Sequence, residues 1–154
     1  MTTNAPDDIP GGFKPMRITG GVLGTIGPLY GKWTGERLLM GFRVESKHCN
    51  LTGVAQGGML AAFADILLPV VARVQARADV GFSPTVSLAV DFIGPAKKGV
   101  WIEGQADILN VGKSLFFTQG LLTADGAPCL RASGVFRVTG ATGNVPNFEM
   151  VFGD

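Results

Sequence analysis

An α+β fold, a largely antiparallel sheet with one long helix laid across a face, is predicted by three observations in this chain. Two strand-like runs come first, one long and nearly wholly apolar helix follows, and four more strand-like runs separated by turn dipeptides complete the order. The 154 residues are 46% hydrophobic. That is enough for one real core, whereas a second domain would need roughly another 100 residues.

The elements follow in order. Residues 1–15 are rich in Pro, Gly and Asp and read as a mobile N-terminal tail, ahead of a single domain over 16–140 and a C-terminal tail over 141–154. Leu23 to Lys32 and Glu36 to Lys47 flank Trp33-Thr-Gly35 as two strands of a hairpin, with alternation at Leu38, Met40, Phe42 and Val44. A loop over 46–56 leads into a helix from residue 57 to about 78, whose last turns become polar at Arg73, Gln75, Arg77 and Asp79 before Gly81. Pro69 should kink that helix or remove one of its bonds. Strands are expected over Thr85 to Ile93, Val100 to Asn110, Ser114 to Thr123 and Pro128 to Val138, broken by Gly94-Pro95, Gly112-Lys113 and Asp125-Gly126. The 23 glycines are about twice the usual ~7% and fit many tight turns and close backbone approaches. Asn147-Phe-Glu-Met-Val-Phe152 is apolar enough to dock somewhere, on a partner that the sequence does not name.

Composition removes several function classes. Thirteen Lys and Arg against 12 Asp and Glu leave a net charge of +1, so no field attracts nucleic acid or an anionic membrane. Cys49 and Cys129 form neither a metal-ligand spacing nor a disulfide framework and are expected to be reduced thiols. The acidic start, without a cationic region followed by an apolar one, argues against a signal peptide and for a cytoplasmic protein. Val54 to Ala72 has membrane-spanning length but carries Gln56, Asp65, Pro69 and a Gly pair. A central Asp alone costs roughly 2.5–3.5 kcal/mol on insertion scales, so a buried helix is the better reading. Being apolar almost all round, this helix needs cover on more than one side, from a curved sheet and a second subunit.

Asp65 is the strongest functional lead. It stands in the run Met59-Leu-Ala-Ala-Phe-Ala-Asp-Ile-Leu-Leu-Pro-Val-Val-Ala72, and a lone carboxylate there costs several kcal/mol unless it is solvated, paired or used in chemistry. Eight residues earlier, Gly57 opens the helix. Its backbone N–H is one of the unpaired donors at the positive end of the macrodipole, a ready oxyanion hole. Eight residues span about 12 Å along a helix, too far for both groups to touch one carbonyl. They must serve different sites or come from different chains; a composite site with Gly57 from one subunit and Asp65 from its neighbour removes the difficulty and makes a two-fold dimer the minimum active unit.

The motif His48-x-Asn50-x-x-Gly53-x-x-Gln56-Gly57-Gly58, followed by Asp65 and by Asp91-Phe-Ile-Gly-Pro-Ala-Lys97, resembles the hotdog-fold acyl-CoA thioesterases of the phenylacetate-pathway (PaaI-like) type. The likeness covers roughly residues 25–138. It implies a hotdog fold, an antiparallel sheet wrapped around one long central helix, in a homo-oligomer that is at least a dimer and expected as a tetramer. It implies hydrolysis of a small aryl- or short to medium-chain acyl-CoA, with Asp65 as nucleophile or general base. Asn50 would bind near the carbonyl or the attacking water. Thr85 matches the position of a helper hydroxyl that orients Asp65, although Ser83 and Ser87 lie close by. Gln56 stands where the family commonly has His; an amide still donates a hydrogen bond but exchanges no proton near neutral pH.

Blander readings stand beside these. Asp65 could be satisfied by a backbone amide or an arginine. His48, the lone histidine, suits loop ordering better than catalysis, although it is grouped here with Gly58, Met59 and Phe63 as residues beside the substrate. Met59 and Phe63, one helical turn apart, suit a core as well as an acyl pocket. Lys97, Lys98 and Lys113 are candidates for the coenzyme A phosphates, though turn lysines are commonly just solvated. No metal is expected, and no cofactor beyond the coenzyme A of the substrate. The alternatives are a non-catalytic acyl-CoA-binding or sensing hotdog protein, and a hotdog hydratase or dehydratase, which would need a histidine paired with a carboxylate in the site.

Overall fold

The computed structural model describes residues 8–153. Seven strands form one antiparallel sheet: β1 (Lys14–Pro15), β2 (Tyr30–Trp33), β3 (Leu38–Arg43), β4 (Thr85–Phe92), β5 (Trp101–Val111), β6 (Leu115–Ala124) and β7 (Ala127–Arg137), in the spatial order β1-β2-β3-β5-β6-β7-β4. The long helix is Gly57–Val74; with short helices at Val22–Ile26 and Phe148–Phe152 it makes the series α1 (Val22–Ile26), α2 (Gly57–Val74) and α3 (Phe148–Phe152). The α+β expectation holds. The four later strands begin and end within one residue of the runs seen in the sequence, because each is bounded by a turn dipeptide.

Glycines let α2 sit close on the sheet. A Cβ on Gly104 of β5 would lie 2.7 Å from side-chain carbons of both Leu67 and Leu122. On β6 and β7, Gly120 and Gly134 make the same allowance for Leu68, whose side chain approaches their would-be Cβ atoms to 3.2 and 3.0 Å. Phe63, Leu67, Leu68 and Val71 are thereby buried against Phe42, Ile102, Phe116, Leu122 and Phe136. Fully burying each large side chain contributes about 1.5–3 kcal/mol. By length and composition α2 could cross a membrane, with a mean hydropathy of 1.7 over its 18 residues. Its apolar surface is instead used against the sheet.

Three expectations need correction. Leu23 to Lys32 is not one strand: α1 occupies Val22–Ile26, and β2 starts only at Tyr30. Gly24 and Gly27 interrupt the alternation there, and the Gly27 N–H closes on the Leu23 carbonyl at 2.9 Å. Secondly, α2 stops at Val74 rather than near 78. Gln75 caps the exit by accepting from Leu38 N at 2.8 Å and donating to the Ala106 carbonyl at 3.3 Å, and Arg77 reverses the chain with φ of 56°. Thirdly, residues 8–15 are joined to the sheet: β1 pairs with β2, and the Phe13 ring meets Trp101 edge-on at 5.0 Å. Residues 1–7 of the expected tail lie outside the described residues. The C-terminal segment docks, as its apolar residues predict. In α3, Phe152 is buried, its ring 2.6 Å from where a Cβ on Gly31 would be.

One irregularity matters for function. Thr85 is opposite Phe136 and Ser87 opposite Val135, so Val86 is an extra residue in β4. Facing residues of an antiparallel pair share a side of the sheet, and Phe136 is wholly buried under α2. Without the bulge Thr85 and Ser87 would point the same way; with it Thr85 joins Leu88, Val90 and Phe92 on the helix side.

Candidate active site

The loop that launches α2 is held from both flanks. His48 ends a 3-10 turn over Ser46–His48; its Nδ1 accepts from Glu45 N at 2.9 Å, its Nε2 donates to the Ile26 carbonyl at 2.6 Å, and its own carbonyl accepts from Gln56 N at 2.8 Å. The imidazole is 3% exposed. His48 is therefore not a substrate contact. It orders the loop, because both ring nitrogens are already used.

Asn50 Oδ1 accepts from Thr52 N at 2.9 Å, Thr52 Oγ1 at 2.7 Å and Val54 N at 3.3 Å. Its Nδ2 remains the group available to a ligand. On the other flank Ala55 N donates to the Ala96 carbonyl at 2.7 Å and Lys98 N to the Gly53 carbonyl at 2.9 Å.

Gln56 is the residue preceding the helix, exposed, with no side-chain capping bond. Its carbonyl accepts from Met59 N and Leu60 N at 2.9 and 3.3 Å. Among the described residues the N–H groups of Gly57 and Gly58 find no backbone acceptor. Two orphan donors thus stand at the positive end of an 18-residue helix.

Asp65 is half-buried on the same helix, and its Oδ1 accepts from Thr85 Oγ1 at 2.6 Å. The hydroxyl in question is Thr85 alone: Ser83 is buried and bonded to the Gly81 carbonyl at 3.1 Å, and Ser87 faces the opposite side of the sheet. Oδ2 of Asp65 has no protein partner among the described residues. A carboxylate held through one oxygen leaves the other free to attack or to take a proton.

Other candidates are not brought together. Met59 and Phe63 are 9% and 0% exposed, and the Phe63 ring packs on Phe42 at 4.9 Å. They are core, since this face of α2 is the one pressed on the sheet. Lys97 and Lys98 are exposed beside the loop carrying Gly53, while Lys113 tips the β5–β6 hairpin at the far end of β5. Eleven strand residues separate the two ends, about 36 Å at 3.3 Å per residue. The three lysines of one chain therefore do not form one cluster.

The bulge that turns Thr85 inward leaves no mark in the sequence. The packing of Phe92 beside Gly57 also went unread, although the alternation Leu88, Val90, Phe92 carries the signal. Both cysteines are free; burial pushes the Cys129 thiol upward, and Cys49 Sγ donates to the Glu45 carbonyl at 3.3 Å. A concavity of about 640 Å³ lies between the Arg37–Asp107 and Asp91–Arg131 ion pairs and contains none of the candidate residues.

Comparison with known proteins agrees with this arrangement. The model of the Thioesterase superfamily matches residues 52–128. The chain is 32% identical over 132 residues to "Putative esterase PA0474" of Pseudomonas aeruginosa, covering 85% of this chain and 98% of that one. It is 33% identical over 88 residues to acyl-coenzyme A thioesterase 13 of Mus musculus, covering 57% and 61%. Among solved structures, thioesterase superfamily member 2 of zebrafish superposes with a TM-score of 0.68 at 22% identity, over 77% of this chain and 87% of that chain. A Streptococcus pneumoniae thioesterase protein crystallised with coenzyme A gives 0.63 at 14%, over 84% and 97%. The sheet order and the single long helix are those of the hotdog fold. The chain belongs to the thioesterase superfamily and is a thioester hydrolase.

Proposed function

We propose that this protein hydrolyses a small aryl- or short to medium-chain acyl-CoA to the free acid and coenzyme A. The observation that carries the reading is the bond of Thr85 on β4 to Asp65, at 2.6 Å, where Asp65 lies on a helix whose first two N–H groups find no backbone acceptor among the described residues. The thioester carbonyl oxygen accepts from Gly57 N–H, which stabilises the negative charge that develops there; losing one such donor typically costs roughly 100- to 1000-fold. Asp65 either attacks the carbonyl carbon, giving a mixed anhydride that water opens, or removes a proton from the attacking water. In both routes the C–S bond breaks and coenzyme A leaves as the thiol. Thr85 holds Oδ1, and Asn50 Nδ2 serves the carbonyl or the water.

Two features support a site shared between subunits. Gly57 and Asp65 are eight residues apart on one unbroken helix, about 12 Å. In the single chain β4 has one unpaired edge, and Val86, Phe92 and Ile93 along it are more than half exposed. A second copy there, related by a two-fold axis, would bring its Gly57 toward Asp65 and cover the open face of α2. The active unit in this reading is a homo-oligomer, a dimer at minimum.

Thiol release from benzoyl-, phenylacetyl-, hexanoyl- and lauroyl-CoA, by the wild type and by Asp65→Asn, tests the proposal. The expected result is turnover on at least one of the four that collapses in the variant while binding and oligomeric state persist. Binding without turnover by either protein would overturn it in favour of acyl-CoA sensing.

A further inference from the structure

Phe92 closes β4 on the helix side of the sheet, at the end where α2 begins. Its ring is 57% exposed, so the core of the described chain does not require it. Its position is nevertheless specific. A Cβ built on Gly57 would lie 3.1 Å from both Cε1 and Cζ of Phe92, whereas one built on Gly58 would meet nothing within 4 Å. The Gly57 backbone is ordinary helix, so its conformational freedom is not what is used at 57; a side chain there would press on the Phe92 ring. The two orphan donors therefore differ: Gly58 faces open space, while Gly57 is flanked by an aromatic wall.

Resting on the acyl-CoA reading above, we infer that Phe92 is a specificity-determining residue: its ring packs beside Gly57, the residue whose N–H would receive the thioester oxygen, and sets how much bulk a substrate can carry next to its thioester carbonyl. An oxygen accepting from Gly57 N–H at about 2.9 Å places the carbonyl carbon, and the α-carbon bonded to it, within van der Waals reach of that ring. An unbranched α-carbon lies flat against the ring. A methyl branch on the ring side meets it. The same ring keeps water off one side of the N–H···O contact, which strengthens it.

The experiment compares hexanoyl-CoA with 2-methylhexanoyl-CoA, which differ by one α-methyl, on wild type, Phe92→Ala and Phe92→Leu, with kcat and KM separated and oligomeric state followed by size exclusion. One methyl group is worth about 10- to 200-fold in a shaped apolar pocket. Phe92→Ala is expected to raise the branched-to-linear ratio of kcat/KM by at least about tenfold, and to lower kcat for the linear substrate. Phe92→Leu should restore most of that kcat with an intermediate ratio. A purely structural or interfacial role for Phe92 would change thermal stability or assembly and leave the ratio alone. An unchanged ratio in an assembled Phe92→Ala, or in Phe92→Leu if the alanine variant fails to fold, overturns the inference. A wild type inert toward these two and toward the four acyl-CoAs named above instead overturns the acyl-CoA reading beneath it, whereas turnover of benzoyl-CoA alone, whose α-carbon is branched, overturns the inference.

Discussion

Thr85 Oγ1 donates to Asp65 Oδ1 at 2.6 Å across the gap between β4 and α2. The bond exists because the extra residue Val86 turns Thr85 toward the helix. Removing the hydroxyl while keeping its shape, Thr85→Val, is expected to lower kcat about tenfold, the worth of one hydrogen bond to a charged group. Thr85→Ser should retain most activity. Asp65→Asn should cost about 100- to 10,000-fold, the range for a positioned acid or base. Steady-state thiol release with the three variants checks the order; equal losses for Val and Ser at position 85 would remove Thr85 from the site.

A site shared between subunits has a complementation signature. Asp65→Asn and Gly57→Val are each expected to be inactive. A mixed dimer keeps one intact site, made from Asp65 of the second variant and Gly57 of the first. Refolding them together at equal concentration should restore about a quarter of wild-type activity, half the dimers being mixed and each carrying one working site of two. A mixture as inactive as its components would overturn the shared site.

The seating of α2 on the sheet depends on small residues beneath it. Gly104→Ala puts a methyl 2.7 Å from Leu67 and Leu122 carbons, so both buried leucines must shift within the core. Overpacking of this kind costs about 1–3 kcal/mol. The urea midpoint should fall accordingly, with the m-value unchanged.

Asp79, just beyond α2, accepts from Thr142 N, Thr142 Oγ1 and Gly143 N at 3.0, 3.1 and 2.8 Å. The backbone N–H groups of Thr142 and Gly143 hold its carboxyl below the ordinary value of 3.8. A depressed carboxylate stabilises the fold above the unfolded pKa, and that contribution disappears as pH falls through the folded value. The Tm gap between wild type and Asp79→Asn should therefore be constant above about pH 5 and close below about pH 4. A gap that widens on acidification would contradict the assignment.

Much of the site was legible because its chemistry is local. Gly57-Gly58 before an apolar run marks a helix start with free N–H groups, and Asp65 inside that run is conspicuous because an unpaired carboxylate there is costly. Both are properties of neighbouring residues along the chain. His48 and Phe63 were harder to place, since a histidine bonded to backbone groups and one facing a substrate, or a phenylalanine in the core and one in an acyl pocket, leave the same trace in a sequence.

By itself, then, the sequence determined the order of strands and the one long helix, since turn dipeptides and hydrophobic period are written in consecutive residues, and it singled out Asp65 and Gly57. Only the tertiary structure decided which hydroxyl meets Asp65, because one bulged residue at Val86 reverses the facing of Thr85 relative to Ser87. It likewise decided that His48 is sealed in the core and that Phe92 stands over Gly57, contacts between residues 22 and 35 positions apart. Such contacts follow from how the sheet curls around α2, and a packing of that kind has no signature in any short stretch of chain.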